Sequence, residues 1–118
     1  SDRGAVAIDL DGDGNEGTGW VLIYMHITPD ERVSLGTWLN QDGLVGHPSC
    51  EGGYATGTHL HLARKYNGEW IHAEGPLPFI LDGWRAVVGP PHYGGRLVRD
   101  GQEVLVGPSS KDYTWITR

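Results

Sequence analysis

The residues best suited to chemistry are two histidines one position apart, His59 and His61. Alternate side chains on a strand share a face, so a strand over residues 58–66 predicts that the two imidazoles stand side by side. Leu60 and Leu62 would then fill the core from the opposite face. Neutral imidazole is a good zinc ligand, and a strand holds it rigidly. The spacing also occurs by chance, so it leaves both a metal site and a structural pair open.

A third histidine, His26, ends an apolar strand predicted over residues 19–27. An imidazole among so many hydrophobic residues needs a hydrogen-bonding partner or a catalytic role. By itself this pattern favours a structural histidine. The segment 47–58, just before His59, contains several glycines, which allow a backbone to pass close to a ligand. Taken alone, it is a flexible loop.

The elements that must position these residues are short strands and turns. Strands are predicted at residues 5–10, 19–27, 44–46, 58–66 and 69–73, and a tail hairpin pairs residues 96–98 with 103–106. The Asn67-Gly68 pair favours a tight hairpin turn. No segment has a sustained helical period, so we predict an all-β, antiparallel domain with a loop-rich C-terminal tail. Residues 1–75 would carry the histidines, and residues 76–118 would form an irregular tail that packs on the same domain.

The composition argues against several classes of partner. The formal net charge is -6 and no run of Lys or Arg occurs, so neither nucleic acid nor an anionic membrane surface is an expected partner. No stretch reaches the roughly 20 apolar residues of a membrane span. The single Cys50 cannot form an internal disulfide. At 118 residues we expect one compact, monomeric unit.

Taken together and in order, these motifs resemble the lysostaphin-type, or LytM-domain, zinc metallopeptidases. The matching elements are Tyr24-Met25-His26-Ile27, Val33-Ser34-Leu35-Gly36, Leu44-Val45-Gly46, Ala55-Thr56-Gly57-Thr58-His59-Leu60-His61 and Tyr66-Asn67-Gly68. The Cys50-Glu51-Gly52-Gly53 element looks most like the staphylolysin and beta-lytic protease branch. The resemblance covers residues 5–75 and implies the antiparallel fold of that family, the duplicated hybrid motif.

The resemblance also implies a role for each histidine. His61 matches the metal-ligating second histidine of the pair, and His26 and His59 match the two catalytic histidines. The implied reaction is hydrolysis in which zinc polarises the scissile carbonyl and lowers the pKa of its water toward about 7. His26 and His59 would orient the water, transfer its proton and donate hydrogen bonds to the developing oxyanion. Which of the two is the base stays open.

The implied substrate is a glycine-containing peptide cross-link of bacterial peptidoglycan, often a Gly-Gly or Gly-x bond. Tyr54, Thr56 and Gly57 would bind this substrate in a narrow groove floored by the loop of residues 51–57, and Trp84 could border the groove. The family works outside the cytoplasm, so an extracellular or periplasmic location is expected for the whole protein.

The chain departs from the family pattern in its zinc ligands. The family carries a further His and an Asp upstream of the Tyr-x-His strand, whereas no histidine precedes His26 here. Because a catalytic zinc normally has three protein ligands, we expect an N-terminally truncated fragment that is inactive alone. One alternative is a degenerate domain that regulates cell-wall amidases or binds wall peptides; another recruits His47, His72 or Asp9. The family branch often has a disulfide near Cys50, which would need a cysteine outside this chain.

The turn of residues 9–15 imitates the start of a calcium loop. Acidic residues alternate through Asp13, and Gly14 occupies the glycine position. Trp20, however, stands where a bidentate Glu would close the coordination shell. We favour a polar turn without metal.

The remaining aromatic and imidazole side chains receive structural roles. Four tryptophans are expected in the core or along the groove: Trp38, Trp70, Trp84 and Trp115. Three histidines belong to no motif and are expected at the surface: His47, His72 and His92.

Overall fold

A computed structural model describes residues 4–90, 94–106 and 116, and the chain divides into two compact units, Ser1–Trp70 and Ile71–Arg118. The described strands form two antiparallel sheets of four strands each, which confirms the predicted all-β class. No helix of the described part meets the length and hydropathy needed to cross a bilayer. The predictions for His92 and Trp115 fall outside the described residues.

The sheet of the first unit contains the candidate site. Its strands, in spatial order, are β1 (Ala5–Asp9), β2 (Trp20–Met25), β3 (His61–Tyr66) and β4 (Glu69–Trp70). The strands predicted at residues 5–10 and 19–27 form as β1 and β2 and pair as a hairpin. The turn predicted between β3 and β4 is confirmed. Asn67 and Gly68 have φ angles of 48° and 79°, the positive values that a two-residue type I′ turn requires.

The register of β2 and β3 assigns side chains to the two faces of this sheet. Met25 pairs with His61, and cross-strand partners share a face. Val21 and Ile23 alternate onto the face of Met25 and are 1% and 9% exposed. Ile27, only 2% exposed, extends the buried apolar cluster past the end of β2.

Two strand predictions near the site are wrong in detail. β3 begins at His61, not at residue 58, because β2 ends at its partner Met25 and offers no strand beyond that point. Leu60 therefore has no sheet to pack on and is 42% exposed instead of lying in the core. The strand predicted at residues 44–46 does not form; Val45 accepts one backbone hydrogen bond, from Val33 at 3.0 Å, and stays in irregular structure.

The second unit contains more regular structure than the sequence predicts. Its strands are β5 (Ile80–Leu81), β6 (Trp84–Val88), β7 (Gly95–Arg99) and β8 (Gln102–Leu105), in that spatial order. The predicted tail hairpin is confirmed as β7 and β8. The hairpin of β5 and β6 was not predicted, yet it turns at Asp82-Gly83 with φ angles of 48° and 78°, another type I′ turn.

The tryptophans divide between core and surface. Trp84 is 4% exposed, with the guanidinium carbon of Arg99 at 4.6 Å from its ring centroid, so the core prediction holds for it. Trp38 and Trp70 are 79% and 60% exposed, so they are not core residues. The ammonium of Lys65 lies 4.5 Å from the Trp70 ring, a cation–π contact that does not require burial.

Candidate functional site

Three histidines meet where β2 ends and β3 begins. The ring centroids of His26 and His59 are 4.3 Å apart, and those of His26 and His61 are 6.2 Å apart. His26 directly follows β2, and His61 opens β3. His59 lies outside both strands, in an isolated bridge with Ser49. The structure thus brings together the three imidazoles that the sequence singles out.

The backbone of His26 explains how its ring reaches this cluster. Met25 shares a face with His61, so regular alternation would turn the next side chain to the opposite face. His26 instead has a φ of 66°, which ends the alternation at that residue. The left-handed region costs a non-glycine residue about 1–2 kcal/mol. Such strain persists where the surroundings hold it, and it concentrates at functional sites.

Hydrogen bonds hold His26 at both its backbone and its ring. The residue is 6% exposed. Its carbonyl accepts hydrogen bonds from Ser49, at 2.6 Å from the backbone N–H and 3.0 Å from the hydroxyl. Its Nδ1 lies 2.7 Å from the carbonyl oxygen of Glu51. Because a carbonyl oxygen only accepts, Nδ1 carries a proton, and in the neutral ring Nε2 therefore keeps a lone pair.

His59 has the same tautomer but a more open position. Its Nδ1 donates to the carbonyl oxygen of Gly57 at 2.8 Å, so in the neutral ring Nε2 is the unprotonated nitrogen. The residue is exposed. Its backbone N–H donates to the Ser49 carbonyl at 3.4 Å. The two candidate catalytic rings therefore both offer an Nε2 lone pair.

His61 is held in its neutral form. Partial desolvation lowers the pKa of its imidazole below the ordinary value, although the residue keeps an exposed surface. The adjacent His26 and His59 lower the pKa further because a second positive charge there is unfavourable. At neutral pH the ring is uncharged. Neutral imidazole is the form that binds a metal ion.

The residues predicted to bind substrate lie on one loop. Gly57 is in direct contact with the cluster through its carbonyl, whereas Tyr54, at 90% exposed, and Thr56 are open to solvent. Gly53 also borders the cluster, because a Cβ built there would stand 3.6 Å from Cε1 of His26. Substrate contact at these residues stays a prediction.

The imidazole nitrogens of the histidine cluster are of the type that binds zinc, and they would supply part of its coordination shell. Within the described ranges, the one group of three His, Cys, Asp or Glu whose ligand atoms all lie within 4.8 Å is Asp9, Asp11 and Asp13, not the histidines. Asp9 cannot join the histidines. It pairs with Val21, four residues from the end of β2, which at about 3.3 Å per residue is roughly 13 Å away.

The surface prediction is confirmed for two histidines of the described part of the chain. His47 and His72 are exposed, and Nε2 of His47 lies 2.7 Å from a carboxylate oxygen of Glu31. Cys50 is an exposed free thiol. Ser49, by contrast, was missed by sequence reasoning; a serine in a glycine-rich loop carries no local signal of its bonds to His26 and His59.

Comparison with known proteins finds relatives among proteases. The chain is 34% identical over 64 residues to Protease LasA of Pseudomonas aeruginosa, an alignment that covers 49% of this chain and 15% of the relative. Protease LasA of a second strain of that species is 34% identical over 65 residues with the same coverage. The aligned part is thus a small fraction of the length of these curated relatives. No family model matches the chain, and no solved structure matches it significantly.

Proposed function

We propose that this chain carries the catalytic histidines of a zinc metalloendopeptidase that hydrolyses glycine-containing peptide cross-links of bacterial peptidoglycan. The observation that carries the proposal is the convergence of His26, His59 and His61, with ring centroids 4.3 and 6.2 Å from that of His26. The similarity of about half the chain to a protease supports the peptidase class.

Each histidine has a state suited to a hydrolytic role. Zinc, when bound, supplies a Lewis acid at the scissile carbonyl. His61, neutral at pH 7, would be one of its ligands. In their neutral form, His26 and His59 each have a free Nε2, which can accept a proton from the attacking water. Once protonated, the same ring donates a hydrogen bond to the negative charge that develops on the carbonyl oxygen.

The glycine-rich loop supports the proposed substrate class. Gly53 and Gly57 lie against His26 and His59 without side chains of their own, so the peptide would approach the rings over bare backbone. A substrate of glycines would fit such a narrow approach, with Tyr54 and Thr56 on the same loop as further contacts. Peptidoglycan lies outside the cytoplasm, so we place the whole protein in the extracellular space or periplasm.

The test uses the complete protein that contains this chain, purified with zinc. We expect it to cleave pentaglycine and purified peptidoglycan, to stop after treatment with a chelator and to recover when zinc is returned. Released amino groups measure the hydrolysis. Zinc-loaded protein that leaves both substrates intact would rule out the peptidase.

A non-catalytic domain that regulates cell-wall amidases or binds wall peptides is the second candidate. One observation favours it: the histidines do not form a three-ligand group within 4.8 Å in the described part of the chain. Under this hypothesis the protein binds wall peptides, or stimulates an amidase, equally well with and without zinc. Binding measured by calorimetry before and after chelation separates the two candidates.

A further inference from the structure

Ser49 lies between the two candidate catalytic histidines and contacts the backbone of each. Its N–H and hydroxyl both bond to the carbonyl of His26, and its own carbonyl accepts from the N–H of His59. It is half-buried, in the short antiparallel bridge that joins the loop to both histidines. This one residue therefore connects the backbones of two histidines that are 33 positions apart in the sequence, 26 and 59.

The Ser49 hydroxyl also closes a circuit of three hydrogen bonds that begins and ends at His26. The ring Nδ1–H of His26 donates to the Glu51 carbonyl at 2.7 Å. The Glu51 N–H donates to the Ser49 hydroxyl oxygen at 3.0 Å. The Ser49 hydroxyl donates to the His26 carbonyl at 3.0 Å. The Ser49 hydroxyl accepts one of these bonds and donates the next, so the two bonds at this oxygen strengthen each other.

This circuit couples the strained backbone of His26 to the protonation pattern of its ring. In the Nε2–H tautomer, an Nδ1 lone pair would face the Glu51 carbonyl oxygen at 2.7 Å. Two acceptors without a proton between them repel each other, so this tautomer is disfavoured. Glu51 can impose this choice only while its backbone is held in place. Its N–H is held by the Ser49 hydroxyl, the one member of the circuit that a conservative substitution can remove.

We propose that Ser49 is a positioning residue that fixes His26 in its Nδ1–H tautomer and so keeps Nε2 free as a proton acceptor. The effect on turnover rests on the proposed peptidase function. The effect on the tautomer does not, because it follows from the hydrogen bonds alone.

The experiment compares variants of the complete, zinc-loaded protein. Ser49→Ala removes the hydroxyl but keeps the backbone bonds, Ser49→Thr keeps the hydroxyl, and Ser34→Ala changes an exposed serine as a matched control. The tautomer of His26 is measured from long-range 1H–15N correlations of its ring, together with kcat and KM on pentaglycine.

We expect the Nδ1–H tautomer in the wild type, in Ser49→Thr and in Ser34→Ala, and a mixture of tautomers in Ser49→Ala. The kcat of Ser49→Ala should fall about tenfold, the equivalent of one hydrogen bond, while KM stays within about twofold. A residue that merely stabilises the loop would lower the melting temperature without changing the tautomer.

Two results would overturn the proposal: a wild-type ring in the Nε2–H form, or a Ser49→Ala variant that folds and keeps the pure Nδ1–H form. Should Ser49→Ala not fold, Ser49→Thr must retain the tautomer and Ser49→Cys, a weak donor, must lose it. A protein without any peptidase activity would refute the proposed function, and the tautomer comparison would still decide the role of Ser49.

Discussion

The two ends of β2 carry two clusters of ligand-type side chains that differ in what holds them. At one end, the carboxylates of Asp9, Asp11 and Asp13 lie within 4.8 Å of one another. At the other end, the rings of His26 and His59 are 4.3 Å apart. Judged by proximity alone, the acidic turn is the better metal site. The hydrogen bonds of the two clusters instead favour the histidines as the functional site.

The carboxylate oxygens of the acidic turn accept hydrogen bonds from the backbone of the same turn. Asp9 accepts from the N–H groups of Gly12 and Gly14, the latter at 2.7 Å, and the Gly14 bond is the main reason that the pKa of Asp9 is lowered. Asp13 accepts from the N–H of Asn15 at 2.7 Å. These bonds span two to five residues, so they form wherever such a turn forms. Hydrogen bonds within the turn therefore explain why these carboxylates lie close together, without a metal ion.

The histidine cluster is held by distant parts of the chain. The bonds from His26 to Glu51 and Ser49 span 25 and 23 residues, and they enclose a buried ring on a strained backbone. Nothing local requires this arrangement. A costly geometry maintained by long-range contacts is the better indication of function.

Substitutions in the two clusters should differ most in their effect on catalysis. In the complete protein, His26→Ala or His59→Ala should lower kcat on pentaglycine about 10²- to 10⁴-fold, the range expected for loss of an acid–base group, while zinc stays bound. Asp11→Asn, at the other end of β2, is the control and should stay within about twofold. A wild-type rate in either histidine variant would remove that residue from the mechanism.

The next effect is on the metal. His61→Ala should weaken zinc binding by more than the roughly 10- to 100-fold typical of residues that only support a ligand, because it removes a ligand itself. Competition with a chromophoric chelator measures the affinity. His47→Ala, which alters an exposed histidine, should leave the affinity unchanged. Equal affinities in the two variants would place zinc elsewhere.

A smaller effect is expected on stability. In Gly46→Ala the new Cβ would stand 2.6 Å from Cγ2 of the buried Ile27, and the φ of 145° is one that L-residues rarely adopt. Overpacking should therefore lower the free energy of unfolding by about 1–3 kcal/mol, and backbone strain should add about 1–3 kcal/mol. Gly14→Ala, in the acidic turn, has a φ of 77° but no atom within 4 Å, and it should cost only the backbone strain of about 1–2 kcal/mol. Urea denaturation gives both values. Both substitutions strain the backbone, so a Gly14→Ala variant as destabilised as Gly46→Ala would show that the contact with Ile27 adds nothing.

The smallest effect concerns calcium at the acidic turn. Since its carboxylates already accept backbone hydrogen bonds, millimolar calcium should shift the melting temperature by less than about 1 °C. A ligand at 100 times its Kd would add about 2.7 kcal/mol of stability, which a thermal scan detects readily. A saturable rise in melting temperature that disappears in Asp11→Asn would make the turn a genuine cation site.

Sequence patterns predicted the local parts of the fold and missed parts that depend on neighbours. The turns at Asn67-Gly68 and in the tail hairpin were predicted because positive φ angles at such pairs are a local property. The Asp82-Gly83 turn has the same signal, but the many prolines and glycines around it favoured irregular structure. Leu60 was misplaced because its burial depends on where β2 ends, a tertiary fact.

By itself, the sequence determined the all-β class, the hairpin turns and the close spacing of His59 and His61, since alternation and turn propensity act over a few residues. Only the tertiary structure decided that the ring of His26 leaves its expected face and is protonated at Nδ1. Those properties depend on a left-handed backbone and on the carbonyl of Glu51, which a separate loop brings in. No local pattern of residues encodes such contacts.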